Sequence, residues 1–459
     1  MKKIFAFLGV LIVADLGATY YVSGLVEKQF LDMERFLSEN QFVSYEVISY
    51  KRGFFKSEAV TSLNKVVKMK HTIYNGPIII GASKGKPVEF QLGVIQSESL
   101  NAQDPINLPF TSKTVFNYSG AIESLTEGSA FNIKKEQIQI SGGPWTSESH
   151  ISKDWQEFKG EMSVPDMMIQ PVGFPMGLTV KNVKILCDQK RSLFGNWLGD
   201  VSFSLGSASQ KDQGLEISNV QLEEQSKLRD QVVDFVWKAE LGKAVYANEN
   251  YGPLHFKMQA KSIDPEAIKS ISDKSILLDK DKKDKMIQQF LLKRPQFIIE
   301  HSEMTVPHGI IQIDADLAVG GGDIALPLNR DVIIKTANGN FLLMMPQEIF
   351  RKSLRLGLQK QVAMDPEYKK MDDIQKQEAL DQQVNIKIQK LTQDGILTEK
   401  ETNYVIQFSI VQGKWLVNGK EVQSDIQSPA SVKPVQPENL QKPNNETKIH
   451  KKSRPKHPK

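Results

Sequence analysis

The sequence predicts an α+β, β-dominated fold: extended antiparallel sheets with two helical inserts, behind an N-terminal membrane anchor helix. Three observations lead there. Runs of apolar–polar alternation succeed one another from residue 43 to about 260, separated by turn residues and not by helices. Two later stretches change to a helical period, and the chain opens with two lysines and a largely apolar run.

The opening run covers residues 4–26, between Lys2-Lys3 and Glu27-Lys28. As a helix it would rise ~34 Å, enough for the ~30 Å hydrocarbon core of a bilayer. Residues 1–28 are therefore expected to form a signal anchor or transmembrane helix. Val22-Ser23-Gly24 is a tolerable cleavage site, Leu16-Gly17-Ala18 a poor one, and no cysteine is placed for lipidation. The reading is an uncleaved, single-pass anchor with its amino end cytoplasmic, since lysines precede the span and no basic cluster follows it. Asp15 inside the run costs ~2.5–3.5 kcal/mol on insertion scales. It is either a tolerated polar residue or a contact for a partner helix. Tyr20 and Tyr21 suit the membrane interface.

Residues 29–262 read as a mostly antiparallel β region. A short helix over 29–40 presents Phe30, Met33, Phe36 and Leu37 on one face. Alternating runs follow at 43–50, 131–133, 138–140 and 201–205. Asn75-Gly76-Pro77, Ser141-Gly142-Gly143-Pro144, Asp212-Gln213-Gly214 and Tyr251-Gly252-Pro253 punctuate them. Strands that follow one another without helices argue for meanders.

Residues 263–423 read as an α+β region with two helical segments and a C-terminal hairpin. Asp264 as N-cap and Pro265 at the first helical position open the first segment, which runs through Leu277, Leu278, Met286, Phe290 and Leu291 to Arg294-Pro295. A strand pair follows at 297–300 and 310–319. The second segment covers about 346–391, broken at Asp365-Pro366. In the closing hairpin Tyr404, Ile406, Phe408 and Ile410 share a face, Gln412-Gly413 turns, and Trp415-Leu416-Val417 returns to Asn418-Gly419, the preferred type I′ pair.

Hydrophobic residues make up 40% and charged residues 24% of the chain, the balance of an ordinary globular protein. About 400 residues between anchor and tail suggest two or three lobes. The net charge is +4, yet residues 448–459 alone hold six Lys/Arg and no acid, so the rest is mildly acidic. Residues 424–459 read as a disordered basic tail, a solvated appendage or one that touches anionic surfaces. Exported and without a basic groove, the chain has no expected nucleic-acid partner. The sole cysteine, Cys187, cannot form an internal disulfide and lies in a strand-like run as a small buried residue.

No local motif supplies chemistry. Gly320-Gly321-Gly322-Asp323 lacks the Lys-Ser/Thr of a phosphate loop and reads as a turn. The histidines at 71, 150, 255, 301, 308, 450 and 457 make no metal-binding spacing. Asp314 and Asp316 would share one strand face, opposite Ile311, Ile313, Ala315 and Leu317, and so face water. No catalytic, cofactor-binding or metal residue is assigned; Asp314, Asp316, His301 and His308 are the first to inspect if distant segments converge.

Four ordered segments carry a resemblance. They are Tyr50-Lys51-Arg52-Gly53-Phe54-Phe55-Lys56-Ser57, Asn75-Gly76-Pro77, Tyr118-Ser119-Gly120 with Ile140-Ser141-Gly142-Gly143, and Leu416-Val417-Asn418-Gly419-Lys420. In this order they resemble the YdgA-like family of bacterial envelope proteins, from the anchor to about Val422. The resemblance implies an amino-terminal anchor, a large exported domain at the bacterial inner membrane and no established activity. That family usually has His before the Gly-Pro of the second segment, where this chain has Asn75, with His71 four residues earlier. Tyr50, Arg52, Gly53, Phe55, Ser57, Gly76, Pro77, Tyr118, Gly120, Gly142, Gly143, Asn418 and Gly419 are the motif residues, read as structural. Gly53 and Gly76 are expected at a turn or bulge, and Arg52 is either a paired structural arginine or a ligand contact.

Anchor, β-rich body and missing catalytic set together favour a non-enzymatic envelope protein in the periplasm. Its sheet would bind lipid or another apolar ligand, or an envelope partner. The alternative is a structural or assembly factor tethering a protein partner at the inner membrane; an envelope hydrolase is the third reading.

Overall fold

A computed structural model describes residues 19–33 and 44–422, apart from residues 66, 84–85, 101, 104–105, 136, 173–175, 211–212, 272–278, 322–323, 325–334, 363–367, 369–370 and 412. The first eighteen residues of the expected anchor, Phe36 and Leu37 of the expected short helix, and the expected disordered tail lie outside the described residues.

The first helix, α1, covers residues 19–33. Short strands follow: β1 (Tyr45–Lys51), β2 (Lys56–Leu63), β3 (Val67–Asn75), β4 (Ile78–Ser83), β5 (Lys86–Phe90), β6 (Gly93–Ser99), β7 (Ala102–Gln103), β8 (Ile106–Asn107), β9 (Phe110–Phe116), β10 (Ile122–Gly128), β11 (Phe131–Lys135), β12 (Ile138–Gly142) and β13 (Trp145–Ile151). Long ones come next: β14 (Glu157–Pro171), β15 (Leu178–Arg191), β16 (Trp197–Gln210), β17 (Leu215–Arg229) and β18 (Val232–Tyr246), then β19 (Glu249–Tyr251) and β20 (Leu254–Ile263). After α2 (Pro265–Ile271) and α3 (Lys280–Leu292) come β21 (Gln296–Val306), β22 (Gly309–Ala318) and β23 (Asn338–Pro346). The chain then forms α4 (Gln347–Val362), α5 (Asp373–Gln393), β24 (Thr398–Lys400), β25 (Asn403–Val411), β26 (Lys414–Val417) and β27 (Lys420–Val422).

All strands but β4 and β5 join one 25-stranded sheet. Its ladder passes from β1 through β2, β3, β6, β9, β10 and β13 to the long strands β14 to β18. It continues through β20, β21, β22, β23 and β25 to β26, every pairing antiparallel. No break in the ladder marks the expected boundary between residues 262 and 263, because β20 pairs with both β18 and β21. Sequential strands pair at short range, so alternation and turns suffice to build the sheet.

The expected anchor needs correction where it is described. Residues 19–26 of its apolar run belong to α1, and α1 lies on the sheet. Val22, Val26 and Phe30, spaced by four, are buried against Ala59, Ile73, Ile95, Phe116, Ile122 and Ile151. The apolar pattern from residue 22 onward is thus that of an amphipathic helix on a protein core, although it looks continuous with the lipid-like run before it. Among the described residues no helix is long and apolar enough to cross a membrane.

The first helical insert divides in two; Leu277, Leu278 and the expected break at Asp365-Pro366 lie outside the described residues. Asp264 Oδ1 accepts from the Glu266 amide and opens α2 as expected. Asp279 then caps a second helix, α3, accepting from the Asp281 and Lys282 amides at 3.1 and 3.2 Å. Asp372 and Gln375 form a capping box that starts α5. Helices α4 and α5 pack Phe350, Leu354, Val384 and Ile388 against Leu397, just before β24, and against Tyr404 and Ile406 of β25.

Candidate functional site

Several motif residues meet at one junction, where the turn between β1 and β2, the turn after β3 and the Tyr20–Glu27 part of α1 come together. Arg52 meets α1 there with all three of its guanidinium nitrogens. Its Nη2 donates to the Tyr20 carbonyl (2.9 Å), Nε donates to Ser23 Oγ (3.2 Å), and Nη1 lies 3.4 Å from Glu27 Oε2. The guanidinium also sits over the Tyr20 ring, 4.6 Å from its centre. Arg52 is thus a paired arginine whose side chain stays 34% exposed. Ser23 Oγ in turn donates to the Gly53 carbonyl (3.0 Å), fixing the helix to the turn.

Asn75 binds that turn from the other side. Its Nδ2 lies within 3.1 Å of the Gly53 and Phe54 carbonyls and 3.2 Å from Ser57 Oγ, and Ser57 Oγ accepts from the Gly53 amide. The two glycines are required by close approach. A Cβ on Gly53 would fall 1.9 Å from the Lys56 carbonyl oxygen, and one on Gly76 would fall 2.0 Å from that of Gln91. Pro77 follows through a cis peptide bond, and its carbonyl accepts from the Tyr118 hydroxyl at 2.7 Å. Tyr50 packs its ring on Phe30, and burial raises its hydroxyl pKa. Phe55 stays exposed, edge-on to Phe54.

The remaining motif residues serve other turns. Gly120, with positive φ, closes the β9–β10 turn. Gly142 lies under the Phe131 ring, and the Gly143 amide donates to the Asp166 carbonyl. Asn418 and Gly419 both have positive φ, as a type I′ turn demands, and the Asn418 side chain also donates to the Gly395 carbonyl (2.7 Å).

Beside the junction is a group the motif reading did not single out. His71 is buried between Thr61 Oγ1 and Ser97 Oγ, each 2.7 Å from a ring nitrogen, with the Phe30 ring edge-on. Burial lowers its pKa to about 4, so the ring is neutral, one nitrogen donating and the other accepting. Beyond it, on the same sheet face, the Ser112, Thr114, Ser124 and Thr126 hydroxyls bond to one another across β9 and β10 at 2.9–3.2 Å.

Further along, the two faces of the sheet differ in chemistry. One cross-strand row reads Val164, Val183, Leu205, Val220, Leu241, Leu254, Met304 and Ile311, from β14 to β22. The next row on that face is Met162, Ile185, Phe203, Leu222, Ala239 and Phe256. The opposite face carries ion pairs between neighbouring strands: Lys184–Glu161, Lys159–Asp188 and Lys190–Glu157 at 2.8 Å, and Lys238–Glu223 at 3.2 Å. A hollow of about 860 Å³ on the charged side is lined by Lys113, Glu148, Lys159, Glu161, Asp188 and Glu223. The apolar side is incompletely covered, for Ile185 is 39% and Leu222 44% exposed. Cys187, expected to be buried, is only half-buried there, its thiol pKa raised by burial.

Asp314 and Asp316 do share a face, and each has a structural partner: Asp314 Oδ1 accepts from the His301 amide (2.9 Å), and Asp316 Oδ1 from Gln296 Nε2 (2.7 Å). His308 pairs with Glu348 at 3.2 Å. Among the described residues no three His, Cys, Asp or Glu side chains are placed to hold a metal ion.

Over residues 1–425 the chain matches a family described as bacterial protein of unknown function (DUF945). The chain belongs to this family. A bacterial family without a known function is what the four motif segments implied; the YdgA-like name rests on those segments alone. No curated protein and no solved structure matches the chain. In this chain the junction around Arg52, Gly53 and Asn75 ties α1 to the β1–β2 turn.

Proposed function

We propose that this member of the family is a non-enzymatic envelope protein, membrane-attached through residues before α1 and with its bulk in the periplasm. In this reading the apolar face of its sheet holds the acyl chain of a lipid. The observation that carries the proposal is the pair of apolar rows with Ile185 and Leu222 left exposed between β14 and β18. Eight strands at ~4.8 Å spacing give a track of ~34 Å, longer than an extended membrane acyl chain. Helices α4 and α5 cover the sheet at Tyr404 and Ile406, not at this row. Monomeric soluble proteins rarely leave extended apolar area open without a use for it. The hydroxyls of β9 and β10 lie on the same face and supply hydrogen-bonding groups for a polar head.

The test is native mass spectrometry of the full chain, gently purified from membranes, beside a double variant Ile185→Lys/Leu222→Lys. Both positions are exposed, so the variant should fold, as circular dichroism would check. The proposal expects a retained lipid and at least a tenfold lower occupancy in the variant. A lipid-free wild type, or equal occupancy in both, would overturn it.

A further inference from the structure

The end of the sheet from which α1 emerges is apolar where turns are ordinarily polar. At the β1–β2 turn Phe54 and Phe55 stack edge-on, 4.8 Å between ring centres, with Phe55 57% exposed. Tyr20 lies 6.2 Å from Phe54, and Tyr21 beside it is 68% exposed. The Tyr118 hydroxyl reaches the Pro77 carbonyl, so the β9–β10 turn adjoins the same patch. From Pro77 the chain enters the β4–β5 ribbon, which pairs Ile78 with Phe90 and Ile80 with Val88. These four side chains are exposed, while Ile79 and Ala82 on the other side of the ribbon pack on Val94.

We infer that this rim docks on the surface of a lipid bilayer, so that the long strands stand away from the membrane. Three facts choose a bilayer as the occupant. Residues 4–18 are apolar except for Asp15 and follow Lys2 and Lys3, and Tyr20 and Tyr21, close behind them in sequence, lie at this patch. As a helix, residues 4–21 would rise ~27 Å, close to the ~30 Å hydrocarbon core, which sets Tyr20 and Tyr21 at the interface where aromatic belts lie. Lys51 and Lys56, both exposed, flank the Phe54–Phe55 tip and suit anionic headgroups. Docking by the rim adds apolar contacts that a single flexible attachment would lack.

This inference rests on the membrane attachment proposed above, and its test separates the two. Benzoylphenylalanine is placed at Phe55, at Phe90 or, as control, at Tyr246, which is exposed at the far end of the long strand β18. The full chain is reconstituted into vesicles of phosphatidylethanolamine and phosphatidylglycerol and irradiated, and adducts are mapped by mass spectrometry. Lipid adducts at positions 55 and 90, at least tenfold above position 246, are expected. A chain that fails to enter vesicles would sink the attachment. An incorporated chain would overturn the docking in any of three ways: no lipid adduct at 55 and 90, adducts to a second copy, or adducts to residues 1–18.

Discussion

Arg52, Asn75 and His71 show how single residues settle the fold near α1. The Arg52 guanidinium is shared among a helix carbonyl, a serine and a glutamate, which ties the β1–β2 turn to α1. His71 carries a sharper consequence. The unfolded ring takes up a proton near pH 6.5, whereas burial holds the folded ring neutral down to about pH 4. Between those values the unfolded state binds more protons, so stability rises with pH. The contribution is complete above pH 6.5 and about 3 kcal/mol of it is lost as pH falls to about 4. Urea unfolding at pH 7 and pH 4 should therefore show wild type losing about 3 kcal/mol more than His71→Gln. Equal losses would mean that the ring is not held neutral by its surroundings.

At the scale of elements, α1 is the part whose seating depends on these contacts. Phe30→Ala removes a fully buried ring from the core and should cost about 3–5 kcal/mol. Arg52→Ala acts at a partly exposed site and should cost only about 1 kcal/mol. Hydrogen exchange should nevertheless show α1 opening first in the arginine variant, since Tyr20, Ser23 and Glu27 lose their ties to the β1–β2 turn. Uniform loss of protection across α1 and β14–β18 would contradict that order. The element types were legible in the sequence where local signals act alone: alternation, Gly-Pro and Asn-Gly turns, and Asp264-Pro265. Two things were not. Residues 19–26 are apolar enough to pass as the end of a membrane span, and only the four-residue spacing of Val22, Val26 and Phe30 marks them as a packed helix. The cap Asp279 divides the first helical insert, and it is a common solvated residue until an amide is seen bonded to it. The motif residues were legible as a set, but their convergence was not, because Arg52, Pro77 and Tyr118 lie far apart in sequence.

For the whole molecule, the antiparallel meander puts one chemistry on each side of a single sheet. A period of two puts the ion-paired lysines and glutamates of the long strands on one face and the rows that start at Val164 and Met162 on the other. The sequence shows that alternation strand by strand. It does not show that successive registers align the apolar sets into rows, because register depends on turns and on bulges such as the one between Val47 and Ser49. The aligned rows turn ordinary amphipathic strands into a continuous track. The most direct test of this account is photo-crosslinking of the full chain with a phospholipid bearing a diazirine in its acyl chain. Adducts should map to the row of Met162, Ile185, Phe203 and Leu222. Adducts confined to the charged face, around Glu161, Leu186 and Ser202, would contradict it.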